Sequence, residues 1–128
     1  MKAIQIGDWL LHANGKYYQV TRIDRLDDGN IHFACGFPHL WEYNNKFEPI
    51  ALKRIHLTKN GFKATNAEDT EFVYRDGYEI KVMIDEYIRD SMFLSIEFAE
   101  KNIWMPIEYV HELQQAMRIM GCDKEIEL

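Results

Sequence analysis

Apolar residues recur along this chain with a period of two over most of its length and with a helical period in two short stretches. Up to residue 50 the pattern is one of short strands separated by turn chemistry. Asp8-Trp9-Leu10-Leu11-His12 is a brief apolar run, followed by Asn14-Gly15, the dipeptide that most readily takes the positive φ angles of a tight hairpin. Lys16 to Asp24 is rich in aromatic and β-branched residues. Strict alternation puts Tyr18 and Val20 on one face and Tyr17, Thr21 and Ile23 on the other. Asp27-Asp28-Gly29-Asn30 marks the next turn, and Ile31, Phe33 and Cys35 then alternate with His32 and Ala34 as in a half-buried strand.

From Gly36 to Phe47 the alternation loosens, and Pro38, Asn44 and Asn45 predict a loop that carries the large aromatics Phe37, Trp41, Tyr43 and Phe47. Short strands with hairpin turns, opened by Ile6-Gly7-Asp8-Trp9, predict a small, bent, SH3-like β-barrel over residues 1–50. Leu52 to Asn60 predicts a short helix closed by Asn60-Gly61, with Phe62 folding back on its last turn.

Beyond it, Phe72-Val73-Tyr74-Arg75 and the dipeptide Asp76-Gly77 lead into Tyr78, Ile80, Val82 and Ile84, alternating with Glu79, Lys81, Met83 and Asp85. After a break near Arg89-Asp90-Ser91, Met92, Leu94, Ile96 and Phe98 repeat the pattern. A turn at Lys101-Asn102 and a short strand, Ile103-Trp104-Met105, complete an antiparallel meander. From Ile107 to Met120 the apolar residues Val110, Leu113, Met117 and Met120 form one helical stripe, with Pro106 at the helix start and Gly121 at its end. The expected fold is therefore α+β: a barrel half over 1–50, and over 51–128 a short helix, a meander and a C-terminal amphipathic helix packed on it, the two halves forming one compact chain.

Composition refines this picture rather than changing it. The 128 residues are 47% hydrophobic, 28% charged and 13% aromatic, which suits a folded domain. The formal charge is −6, with five basic and six acidic residues before residue 51 and ten and fifteen after it. Neither half is cationic, which disfavours binding to nucleic acid through phosphates. The N-terminus reaches Asp8 before any run resembling a signal peptide, and no apolar stretch approaches the roughly 20 residues that span a bilayer. A cytoplasmic location without membrane contact is the expectation, with Cys35 and Cys122 as reduced thiols.

Candidate chemistry is sparse. His111-Glu112-Leu113-Gln114-Gln115 begins like a zinc-protease helix, but Gln115 stands where the second imidazole is needed. Cys35 and His39 are four apart and offer two ligands where structural zinc takes four; His12, His32 and His56 show no spacing that completes a set. The adjacent carboxylates Asp27/Asp28, Glu68/Asp69 and Asp85/Glu86 read as turn or solvent-facing charges, and no nucleophile elbow, GxGxxG or P-loop is present, so neither a catalytic set nor a cofactor is expected. The suggestive feature is the aromatic segment. Exposed, Phe37, His39, Trp41 and Tyr43 form a recognition patch for a protein partner; buried, they plug the open end of the barrel or pack on the second half, and burial is the expectation. Edge strands and surplus aromatics also leave room for a homo-oligomer.

Tyr109-Val110-His111-Glu112-Leu113-Gln114 resembles the "YVHxLQ" helix of short uncharacterised proteins of Bacteroides-group genomes and their phages and prophages. Ile6-Gly7-Asp8-Trp9 resembles their opening, and Pro49-Ile50-Ala51-Leu52 with Asn60-Gly61-Phe62 their middle segment, although Lys53-Arg54 replaces the usual Thr-Glu. Lys124-Glu125-Ile126-Glu127-Leu128 looks like their short terminal strand. The resemblance implies a compact α+β protein of mobile-element origin without an assigned activity, and a polar helix edge at His111 and Gln114 open to a partner. The function expected from all of this is a non-enzymatic binding or adaptor module. The alternatives are a nucleic-acid-associated barrel using Lys16, Arg22, Arg25, Lys53 and Arg54, and a small hydrolase or metal-dependent enzyme using His111, His39 or a cysteine.

Overall fold

The structure, a computed structural model, describes residues 3–36, 39–75, 79–85, 91–98 and 101–128. It is mixed α+β, mostly antiparallel strands with two helices, and it divides into two compact units. One unit is Met1–Ala51 with Tyr109–His111; the other is Leu52–Glu108 with Glu112–Leu128.

The first unit contains β1 (Trp9–His12), β2 (Tyr17–Arg25), β3 (Ile31–Cys35), β4 (Leu40–Tyr43) and β5 (Phe47–Pro49). They form one antiparallel sheet in the order β4-β3-β2-β1-β5, so that β4 and β5 are its outer strands. The hairpin dipeptide behaves as expected: Gly15 has φ 85°, and Asn14 Oδ1 accepts the Lys16 N–H at 2.9 Å. The expected loop between Gly36 and Phe47 instead holds a strand. Asn44 and Asn45 supply only the 3-10 turn Asn44–Lys46 that joins β4 to β5. Phe37 and Pro38 lie outside the described residues.

Strict alternation fails in β2 for a local reason. Val20 faces Cys35 and Arg22 faces Ala34, so two steps on β2 match one on β3 and Thr21 is the extra residue of a β-bulge. Tyr18 and Val20 point to the core, as expected, but beyond the bulge the phase reverses. Ile23, expected on the outer face, packs against the core of Leu10, Tyr18, Val20, Phe33 and Cys35. Arg22 and Asp24 turn outward instead.

In the second unit, α1 (Arg54–Lys59) precedes β6 (Lys63–Ala64), β7 (Glu71–Arg75), β8 (Glu79–Asp85), β9 (Ser91–Phe98) and β10 (Lys101–Ile107), a meander in sheet order β10-β9-β8-β7-β6. Ile80, Val82 and Ile84 are buried, as their alternation predicts. Phe72 opposes Val82 and Tyr74 opposes Ile80, and Phe62 meets Tyr74 with ring centroids 5.3 Å apart on that face. The break near 89–91 falls partly on residues 86–90, outside the described residues, and Ser91 already belongs to β9. Lys101 and Asn102 pair with Phe98 and Glu97, so the expected turn there is strand. Pro106 likewise lies within a strand rather than starting a helix. Among the described residues β10 is an outer strand, the position in a sheet where proline is tolerated.

Helix α1 ends as its sequence predicts. The Phe62 N–H bonds to the Leu57 carbonyl and the Gly61 N–H to the Thr58 carbonyl, with Gly61 at φ 86°, and the buried Phe62 and Leu57 complete the Schellman arrangement. At its start, where Lys53-Arg54 provides no capping hydroxyl, His56 Nδ1 accepts the Lys53 N–H at 2.9 Å.

Helix α2 (Val110–Ile119) departs most from expectation. Val110, Leu113 and Met117 are buried, as the stripe predicts, but so are His111, Glu112, Gln114, Gln115 and Ala116. Glu112 and Gln114 bond internally rather than forming a solvent face, and the burial of His111 and Gln114 removes them as an edge open to a partner. Gln114 Oε1 accepts the Ile126 N–H at 2.5 Å, and its Nε2 donates to the Lys124 carbonyl at 3.1 Å. Asn60 receives the Glu127 N–H at 2.6 Å and donates to the Glu127 and His56 carbonyls. The terminal segment is thus held by two side-chain amides instead of by a neighbouring strand, and Ile126 is buried between the bonds.

Gln114→Ala leaves a buried backbone donor without its acceptor and should lower unfolding stability by about 1–3 kcal/mol in urea titrations, with Asn60→Ala similar. A loss below about 0.5 kcal/mol for both variants would mean that burial of Ile126 alone retains the tail. A second outcome concerns pH. Burial first, then Lys53 and Lys59, hold the His56 imidazole below its ordinary pKa of 6.5. The unfolded chain therefore takes up this proton first on acidification, so the stability contributed by neutral His56 is complete above about pH 6.5 and lost as pH falls through the depressed value. Urea midpoints should fall between about pH 7 and pH 5 more steeply for the natural sequence than for His56→Ala; parallel profiles would dismiss the imidazole cap.

Candidate functional site

The bulge in β2 gives the first sheet an outer face with a definite layout. Register places Asp24 opposite His32 and His32 opposite Tyr43, one row across β2, β3 and β4; Arg22, Ala34 and Trp41 form the next row. His32 is only 3% exposed although it sits on the outer face. The cause is two neighbouring rings: Trp41 stacks on it with centroids 3.9 Å apart and planes 12° apart, and Tyr43 packs on it with centroids 4.0 Å apart and planes 42° apart. Trp41 and Tyr43 themselves remain 52% and 44% exposed. The expectation that they are buried as a barrel plug is therefore corrected: they bury a histidine and keep their own outer surfaces in water.

Ala34 explains the space beside them. It is the small residue between Arg22 and Trp41, and all three line an open hollow of about 620 Å³. Thr21, Asp24, His39, Leu40 and Cys35 complete the lining. Asp24 ties the rim together. Arg22 Nε and Nη2 donate to its two oxygens at 2.8 and 3.0 Å, and Trp41 Nε1–H donates to it at 2.9 Å. These bonds, Arg22's first and Trp41's next, hold the Asp24 carboxyl below its usual range. Burial pushes the Cys35 thiol up to about 11, so at neutral pH it is protonated and a poor nucleophile.

Of the four residues expected to form a patch, His39 and Trp41 line the hollow and Tyr43 lies on the far side of His32. Phe37 is outside the described residues. Arg22, Asp24 and His32 belong to the same surface but were not singled out for it. Their position depends on the bulge, and the one hint of it was two charged residues falling in phase with Tyr18 and Val20. Elsewhere, Arg22 is engaged by Asp24, and Arg54 Nε donates to the Asp69 carbonyl, which weakens the basic strip. Among the described residues no group of three His, Cys, Asp or Glu side chains is placed to hold a metal ion, and no helix is long and apolar enough to cross a membrane. No family model matches the chain, and neither a curated protein nor a solved structure matches it.

The rim bonds are testable by NMR. The Trp41 indole N–H resonance should titrate with Asp24, at a midpoint below the ordinary carboxylate value of about 3.9, and Arg22→Ala should move that midpoint upward. An unmoved midpoint would show that Arg22 does not hold Asp24 in solution.

Proposed function

We propose that the chain is a non-enzymatic protein-binding or adaptor module and that the outer face of β3 and β4 is the surface it presents. The observation that carries this reading is the pair Trp41 and Tyr43, two large rings left half open beside a hollow. Aromatic rings are enriched at protein interfaces, where they contribute much contact area at a small entropic cost. Sheet order supports an SH3-like barrel as the scaffold: β5 returns beside β1, a 3-10 turn precedes it, and β2 to β4 form a meander. A barrel holds such a face rigid. The likeness to proteins of Bacteroides-group phages and prophages supports a mobile-element origin and hence a host or phage protein as partner. The carboxylate of Asp24 beside Trp41 and the formal charge of −6 disfavour a phosphate backbone, which favours a protein over a nucleic acid.

Affinity capture from a lysate of the source cell should recover a partner with the natural sequence and lose it with Trp41→Ala/Tyr43→Ala. Ile119→Ala, at an exposed apolar residue of the other unit, should leave recovery unchanged. A thermal melt of each variant separates lost binding from lost folding. Equal recovery by a folded double variant would exclude this face.

A further inference from the structure

The backbone beneath the two rings carries a more specific feature. The Gly36 N–H donates to the Gln19 carbonyl, and the Ala34 carbonyl accepts the Thr21 hydroxyl, so the even-numbered residues at this end of β3 direct their backbone groups toward β2. Phe33 and Cys35 consequently serve β4 through their partners Glu42 and Leu40. Trp41 and Tyr43 are left with their N–H groups directed away from β3, on the side of β4 that pairs with no strand among the described residues. The Tyr43 N–H is occupied, but by a side chain: Glu42 Oε1 accepts it at 3.0 Å, while the second oxygen lies 3.9 Å from His12 Nε2. A neighbouring carboxylate thus fills the position of a strand that is absent.

We propose that this edge of β4 accepts an extended peptide segment bearing lysine or arginine as an added strand, with Glu42 exchanging the Tyr43 N–H for the incoming cation. The proposal rests on the reading of β4 as a docking surface and names what docks there. Strand addition satisfies the outward N–H and C=O groups of Trp41 and supplies a carbonyl to the Tyr43 N–H. The displaced carboxylate then needs a positive partner, which a lysine or arginine opposite Glu42 on the added strand supplies. The chain's own charge of −6 adds long-range attraction for a basic segment. A second copy of the chain fits less well: two β4 strands paired about Glu42 set that carboxylate against itself, a like-charge pair directly across the ladder.

The test uses the full chain, ¹⁵N-labelled, and a nine-residue peptide alternating threonine and valine around a central lysine. The peptide should protect the Trp41 and Tyr43 amides from hydrogen exchange. Replacing its lysine with glutamate should weaken binding about threefold or more, and Glu42→Gln should reduce the preference for lysine by a similar factor. Tyr43 has φ −55°, a value proline adopts, so Tyr43→Pro deletes the outward donor without disturbing the pairing to β3. It should bind about fivefold more weakly than Tyr43→Ala, which lacks the ring but keeps the N–H. Absence of amide protection by any of these peptides overturns the proposal. If the indole signal of Trp41 shifts without that protection, strand addition falls while β4 stays a docking face. If neither signal responds and Trp41→Ala/Tyr43→Ala still captures its partner, both readings fall. Amide protection that grows with protein concentration alone assigns the edge to a second copy and also overturns it.

Discussion

Between Val20 and Arg22 the second strand carries one residue more than its neighbour can pair, and the character of the first unit's surface follows from that mismatch. Without the bulge, the phase set by Tyr18 and Val20 would drive Arg22 and Asp24 into an apolar core, where charges cost several kcal/mol each. With it, Ile23 takes the inward position and the two charged side chains pair on the outside. Asp24 then orients the Trp41 indole, which in turn closes over His32. The hollow, the rings and the ion pair are successive consequences of one extra residue.

The surface so formed is polar at its base and aromatic at its top. A histidine at a solvent-facing strand position would ordinarily be wet, and here it is covered by two larger rings. Contact with the imidazole restrains both rings, Trp41 stacked on it and Tyr43 tilted against it, so a ligand meeting their open surfaces finds them already ordered. Preorganisation of this kind reduces the entropic cost of association.

The second unit solves a different problem, the retention of a short C-terminal segment that has no strand beside it. Gln114 and Asn60 each present an amide, which offers both a donor and an acceptor as the backbone does, and together they bond Lys124, Ile126 and Glu127. The composition of α2 follows from this. Gln114 is buried because its amide is satisfied, and a helix that reads as amphipathic is enclosed over its first two turns.

Features that depend on neighbours in sequence were legible from the residues alone. The Asn14-Gly15 turn, the Asn60-Gly61-Phe62 helix end and the inward Ile80, Val82 and Ile84 each arise from local backbone preference or strand periodicity, which act over a few residues. What depended on distant partners was not legible. The strand at Leu40–Tyr43 exists because β3 pairs with it, although its own pattern resembled a loop. Pro106 lies in a strand that is an outer one among the described residues, and Gln114 is internal because residues 124 to 126 reach it. The outer face needed the register of three strands and a bulge before Arg22, Asp24, His32, Trp41 and Tyr43 could be placed together. Periodicity reports which way a side chain points only while the pairing stays in step, and a change of step is set by the partner strand.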